Sequence, residues 1–331
     1  MKNLLLILLI FLLTSSCGKS RNDKTLAINA TEITNENPDF IIRKDTFDFS
    51  INGDLRKVTY FNDKYYCMFQ TQRENTSGSF KKMVVLNNKG KFIEDIFVPR
   101  VIQYMHYYNI RIENYSLFLQ RAQHDEENFV LGKYVADFQP TETRAFKTYE
   151  DDQYNIYSTC HGEFGGTIFF QDKKTNKLFE GSSTCPIIVN KVGTEYFVTN
   201  YMGHMLGFAS VNKIAEPRKL EKSEWNFKRR FGSRNHKGIE TILDTMDFYI
   251  PTSFVIKDKL LHIYNDNNGT YVANIEDEKM KSVYTFDFKF YPQFNQHLEN
   301  GKQILTFKVA KTKKDGILLI DGNELTFNFL K

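Results

Sequence analysis

The sequence predicts an all-β protein, and within that class a β-propeller of six blades. Three observations lead there. Short alternating or apolar runs such as "KYYCMF", "KKMVVLN", "EYFVTNYM", "LLHIYND" and "GILLID" recur along the chain, the period-two pattern of half-buried strands. The separators carry hairpin chemistry, "NNKG" at Asn87 to Gly90, Asn268-Gly269, Asn300-Gly301 and Asp321-Gly322, where glycine supplies backbone angles that tight turns demand. Aromatic residues make up 15% of the chain, and they suit pleated faces packed on one side.

The strands fall into groups. Taking one marker per group gives Tyr66, Phe118, Tyr157 or Phe169, Phe197, Leu261 and Leu305, separated by roughly 40 to 65 residues, the repeat length of a four-stranded blade. The domain so defined runs over 45–331. A β-sandwich or a barrel is the competing architecture, and the propeller is preferred because regular blades give nearly every strand a partner without long crossovers. One segment, "GIETILDTMDFY" at Gly238 to Tyr249, carries a pattern that a single short helix would also satisfy.

The N-terminus reads "MKNLLLILLIFLLTSSCGKS". Lys2 makes a positive start and Leu4 to Leu13 an unbroken apolar run, too short for a bilayer span of roughly 20 residues and of signal-peptide length. Ser15 and Ser16 precede Cys17. This small-residue–cysteine junction resembles the lipobox of bacterial lipoproteins, in which cleavage leaves the cysteine as an acylated N-terminus. The family pattern has leucine three residues before the cysteine, whereas Thr14 stands there in this chain, with Leu13 one step back. The resemblance implies a signal peptide over 1–16, lipidation at Cys17, and a membrane partner through that anchor, since several acyl chains bury enough CH₂ groups for durable attachment. Residues 17–44 are polar and without apolar period, a flexible tether with an end-to-end reach of roughly 30 Å. Together the lipobox, the tether and the "VVLNNKGKFIEDI" pattern resemble the exported β-propeller lipoproteins of the Bacteroidota, many without an assigned activity. That likeness implies an outer-membrane lipoprotein; Lys19 and Arg21 behind the cysteine, where surface-exported members carry acidic residues, favour the periplasmic face. It transfers no functional residues.

The formal net charge is +4, far from the strongly basic balance of a nucleic-acid binder, and that class is set aside. With Cys17 acylated, three cysteines remain. Cys67 lies in an apolar strand pattern as a small buried hydrophobe. Cys160 and Cys185 are either a disulfide, which a compartment outside the inner membrane permits, or unbridged.

Two stretches carry candidate chemistry. In "YSTCHGEFGGTIFF", His161 and Glu163 share a face if the strand continues, so the carboxylate could orient the imidazole; a structural turn built on Gly162, Gly165 and Gly166 is the plainer reading. Aligning this stretch with "YFVTNYMGHMLGF" sets His161 beside His204, and His124 in "RAQHDEENF" adds a third imidazole to a ligand-binding rim. In "WNFKRRFGSRNHKG", Trp225, Lys228, Arg229, Arg230 and Arg234 interleave an aromatic with basic residues, suited to an anion or a glycan or to no more than a solvated loop. The zinc-deaminase, His-Glu-x-x-His and phosphate-loop patterns are all missing. The sequence therefore predicts no cofactor, no bound metal and no catalytic constellation. The leading function is an anchored platform for an envelope protein or glycan ligand. The alternative is a glycan-directed hydrolase or lyase with acid–base groups gathered at the central channel.

Overall fold

The computed structural model describes residues 39–72, 79–98, 103, 108–113, 116–121, 127–131, 136–140, 146–203, 207–224 and 231–331. All of them belong to one of the chain's two units, 33–331. The strands pair into six sheets. The first comprises Gly53–Phe61, Lys64–Gln72, Ser79–Asn87 and Phe92–Ile96; the second Tyr108–Glu113, Ser116–Arg121, Glu127–Leu131 and Ala136–Pro140. The third holds Phe146–Glu150, Tyr154–Cys160, Gly166–Asp172 and Leu178–Ser182, with Glu221–Lys222 on its outer edge. Pro186–Val192, Glu195–Met202, Phe208–Ile214 and Glu240–Thr245 form the fourth; Tyr249–Ile256, Lys259–Asn265, Thr270–Glu276 and Lys279–Thr285 the fifth. The sixth runs Phe290–His297, Gln303–Val309, Asp315–Asp321, Glu324–Leu330, and Ile41–Phe47 joins its outer edge in parallel. That last strand begins inside the stretch assigned from sequence to the tether.

Apolar side chains fill the spaces between neighbouring sheets rather than one central core. Ile156 and Phe170 of the third sheet meet Val189 and Val198 of the fourth. Val211 and Leu243 of the fourth meet Ile250 and Tyr264 of the fifth. Phe254 and Ile263 of the fifth face Phe307 and Phe327 of the sixth, whose Ile304 and Ile317 meet Val58 and Val84 of the first. Sheets packed face to face in this succession, with their first strands in mutual contact around one axis, make an all-β β-propeller; two stacked sheets would share a single interface.

The blade count departs from the six expected. Five sheets, the first and the third to sixth, are blades of one pattern: each carries a β-bulge near the start of its axial strand, at Leu55/Lys57, Lys147/Tyr149, Pro186/Ile188, Tyr249/Thr252 and Pro292/Phe294. The second sheet pairs Tyr108–Glu113 with Ser116–Arg121 without a shift of register. It docks on the first blade through Ile110, Ile112 and Leu117 against Met68 and Met83, and its later side chains lie outside the described residues. Marker spacing counts groups of strands, and cannot tell a sheet from a blade that repeats the axial bulge.

The helix pattern at Gly238 to Tyr249 is also overturned. Glu240–Thr245 is a strand paired to Phe208–Ile214, because its β-branched residues and Leu243 gain more by covering the interblade core than a lone helix would. Hairpin turns follow the expected glycines at Gly90, Gly301 and Gly322, all at positive φ. Three more arise at Asn62-Asp63, Lys257-Asp258 and Asp277-Glu278, where both residues take positive φ without glycine. At these the ladder on both sides imposes the twist that a two-residue turn must match.

Candidate functional site

The "CHGEFGG" stretch is a turn. Strand Tyr154–Cys160 ends there, Gly162–Phe164 forms one 3₁₀ turn, and Gly166–Asp172 returns. Gly162 and Gly165 sit at φ 63° and 84°, angles that a side chain resists, and His161 N–H donates to Gly165 O at 2.8 Å. The strand does not continue, so the shared strand face expected for His161 and Glu163 does not exist, and no ion pair joins them among the described residues. Burial holds the His161 imidazole below its ordinary pKa. Cys160 is bonded to Cys185, with Cα atoms 4.3 Å apart, which ties the third blade to the start of the fourth.

The two stretches singled out in the sequence meet in space. After Phe208–Ile214 the chain leaves the fourth blade, adds Glu221–Lys222 to the third, and returns only at Glu240. On the way back Gly232 N–H donates to Phe164 O at 3.0 Å, Ser233 N–H to Thr167 Oγ1 at 2.8 Å, and Ser182 N–H to Asn235 O at 2.7 Å. A Cβ on Gly232 would lie 2.2 Å from Gly166 N, so this approach requires glycine. Phe164 and Phe231 form an exposed edge-to-face pair at 5.6 Å, and Arg234 is exposed nearby in sequence. Cys17, His124, His204, Trp225, Lys228, Arg229 and Arg230 lie outside the described residues, and with them most of the expected rim and basic loop. Among the described residues no three His, Cys, Asp or Glu side chains gather as a metal site.

The residues that sequence reasoning missed are those that line the axis. A cavity of about 1200 Å³ is lined by the axial strands, with residues including Lys57, Asn109, Arg111, Lys147, Tyr149, Pro186, Pro251, Phe294 and His297. The bulges build it: each re-aims the side chains around it, as bulges commonly do at the rims of closed sheets, and Lys57, Tyr149, Ile188 and Phe294 resume the ladder directly after one. Pro186, Pro251 and Pro292 mark three of these irregular starts, where a residue without an N–H costs the ladder nothing. Their recurrence in "CPII", "YIPT" and "YPQF" was the available signal.

Three consecutive side chains of the sixth blade tie the axis together. Asn295 Nδ2 donates to Thr252 Oγ1 of the fifth blade at 2.8 Å, Gln296 Nε2 to Val58 O of the first at 2.9 Å, and His297 Nε2 lies 2.7 Å from Val189 O of the fourth. The His297 ring also meets Tyr149 of the third edge-on at 5.2 Å. Burial pushes this imidazole down to about 4, the bond to Val189 O opposing the shift only in part. His297 is thus a neutral donor that positions blades.

Lys57 is of another kind. Its Nζ lies 3.3 Å from Asn109 Oδ1 and 4.0 Å from the centre of the Phe294 ring, and it has no ion-pair partner among the described residues. Burial pushes its ammonium down to about 7. The neighbouring carboxylate Glu150 is spoken for: burial would raise its pKa, yet Lys147 and Lys173 bind it, the latter at 2.5 Å, and keep it below the usual range. Among the described residues no carboxylate pairs with Lys57, so the cavity presents a cation source beside an amide and two aromatic faces.

No family model matches the chain, and no characterised protein matches it in sequence. Among solved structures, the β-propeller domain of the trilobed protease from Pyrococcus furiosus is similar at 11% identity, TM-score 0.38, over 82% of this chain and 94% of that one. BamB from Moraxella catarrhalis is similar at 11% identity, TM-score 0.37, over 80% and 68%. A protein from Bacteroides fragilis whose name marks it as exported gives 12% identity, TM-score 0.37, over 80% and 88%. The propeller architecture of this chain rests on its own sheets, and nothing functional passes from these proteins.

Proposed function

We propose that this protein is a lipid-anchored binding protein of the cell envelope whose propeller takes an anionic ligand, a carboxylate- or phosphate-bearing molecule, into its axial cavity. The observation that carries the reading is Lys57: an amine pointed at a large cavity, hydrogen-bonded to Asn109, stacked on Phe294, and lacking a counter-ion among the described residues. An arriving anion supplies that counter-ion and restores the charge that burial disfavours, an interaction stronger inside a protein than in water. The apolar faces of Phe294 and Tyr149 suit the ring or chain that bears the anion. The anchor is read from "TSSC" at Thr14 to Cys17, and with it the outer-membrane, periplasm-facing location. Titration calorimetry with glucuronate, phosphate and an uncharged sugar tests the site: binding of an anion, lost in Lys57→Met, supports it, and equal binding by the variant overturns it. For the anchor, Cys17→Ala releases the protein from membranes or stalls its cleavage; unchanged membrane retention and cleavage refutes lipidation.

A hydrolase or lyase acting on a glycan has one observation in its favour. An amine poised near neutrality both takes and gives a proton at physiological pH, the requirement for an acid–base group. Release of reducing or unsaturated ends from an acidic glycan, absent in Lys57→Met, would make this reading the leading one.

A further inference from the structure

A second cavity lies away from the axis, where the middle strands of the fifth blade part, and its lining draws on the fourth blade and on the core shared with the sixth. It has a volume of about 550 Å³, and Val192, Phe197, Ile242, Ile256, Leu260 and Val283 give it apolar walls. Its origin is in the pairing of the fifth blade. Strands Lys259–Asn265 and Thr270–Glu276 are in register from Asn265↔Thr270 to His262↔Ala273, and their pairing ends there although both strands run three residues further. Leu260, Leu261, Asn274 and Ile275 stand where the strands part, and all four line the cavity.

Two buried polar atoms of the lining have no hydrogen-bond partner, His262 Nε2 and Asn274 Oδ1. His262 is wholly buried. Its other nitrogen, Nδ1, lies 2.6 Å from Ser253 Oγ, which itself lies 2.6 Å from Thr199 Oγ1. This hydroxyl chain fixes the ring and leaves Nε2 as its one unanswered atom. Asn274 Nδ2 donates to Glu276 Oε1 at 2.7 Å, so its amide orientation is set and Oδ1 remains an open acceptor. A buried polar atom without a partner costs about 1–3 kcal/mol, and two such atoms in the lining of one cavity mark a place where something else completes the bonding.

We propose that this cavity binds a neutral amphiphile, an apolar chain bearing a primary amide or alcohol head that hydrogen-bonds to His262 Nε2 and Asn274 Oδ1. The head must be neutral for electrostatic reasons. Burial holds His262 uncharged, at a pKa of about 3, and Asn274 Oδ1 offers a second lone pair, so a carboxylate there would meet an acceptor, while the lining cations Lys259 and Lys281 are already paired to Asp39 and Glu276. An amide or hydroxyl both donates and accepts, and the walls take the chain. Asp39, Lys259, Glu276 and Lys281 stand in the same lining, with Asp39 bound to Lys257 and Lys259 at 3.0 and 2.9 Å.

The test uses octanamide as probe, octanoate as its charged counterpart, and the full soluble chain from Gly18. Saturation-transfer NMR and thermal shift are the readouts. Octanamide is expected to bind and raise the melting temperature, with octanoate at least tenfold weaker. Val283→Trp, which fills the cavity, and Asn274→Leu, which removes one orphan atom at a half-buried position, should each weaken octanamide at least tenfold. If Val283→Trp does not fold, Asn274→Leu decides alone. Absence of octanamide binding at millimolar concentration, as expected if a single water completes the bonding, overturns the proposal. So does binding that neither variant weakens, or octanoate binding as tightly as octanamide.

Discussion

Replacing Lys57 by Met should stabilise the protein at neutral pH, and the gain should shrink as pH rises. Lys57 ordinarily titrates at 10.5 and in the fold at about 7. Between those values the unfolded chain holds more protons than the folded one, so the wild type gains stability as pH climbs through that window. Below about pH 7 both states are protonated and the whole cost of burying the ammonium is present. At 1.36 kcal/mol per tenfold change in proton affinity, the ceiling on that cost is roughly 5 kcal/mol. The Phe294 face at 4.0 Å returns part of it, and the cavity keeps the amine partly wetted, so about 2–3 kcal/mol is the expected net value. Met keeps the apolar stem and drops the charge. Urea unfolding of both proteins at pH 7 and pH 9 gives the stability gap at each. The gap is expected to fall by roughly 1–2 kcal/mol over that interval. Comparing the two proteins at each pH cancels the histidines, the tyrosines and the buried Cys67, whose titrations both share. A gap that stays constant, or a variant less stable than wild type at pH 7, would refute the reasoning that the Lys57 charge is buried without compensation. The ligand reading adds a corollary: affinity for an anion should decline above pH 7, with proton uptake on binding at pH 8.

Three further outcomes follow from the geometry. In Gly232→Ala the new methyl meets Gly166 N at 2.2 Å, so stability should drop by about 1–3 kcal/mol and amide exchange at Ser182 and Ser233 should quicken while the sixth blade is unaffected. Changing Cys160 and Cys185 together to Ser opens a loop of sequence separation 25, and denaturant unfolding should register a loss of about 3 kcal/mol. Because His297 is buried neutral with its pKa near 4, the folded state resists protonation and stability should fall as pH drops from 6.5 toward 4; His297→Gln, able to keep a donor near Val189 O, should flatten part of that slope in acid titrations followed by fluorescence.

The sequence by itself determined the class of structure and the turn chemistry. Alternation of apolar and polar residues is a local property of strands, and Gly90, Gly301 and Gly322 announce positive φ because few other residues accept it cheaply. It determined as well that "CHGEFGG" can turn, since three glycines in five residues leave little else. Only the tertiary structure decided the rest. The pairing of Glu240–Thr245, against a helical pattern, came from the blade it completes. Asn62-Asp63 and Lys257-Asp258 became tight turns because the strands beside them were already in register. In sequence Gly232 is one more residue of a solvated loop; its contact with Gly166 belongs to the fold, and nothing within either segment encodes the other. The axial site was illegible for the same reason: Lys57, Asn109, Tyr149, Phe294 and His297 are spread over 241 positions of sequence, and they meet because four strands of separate sheets, three of them bulged, come together at one axis. A lysine becomes a depressed, uncompensated amine through what surrounds it, and those surroundings are supplied by distant parts of the chain only when the propeller closes.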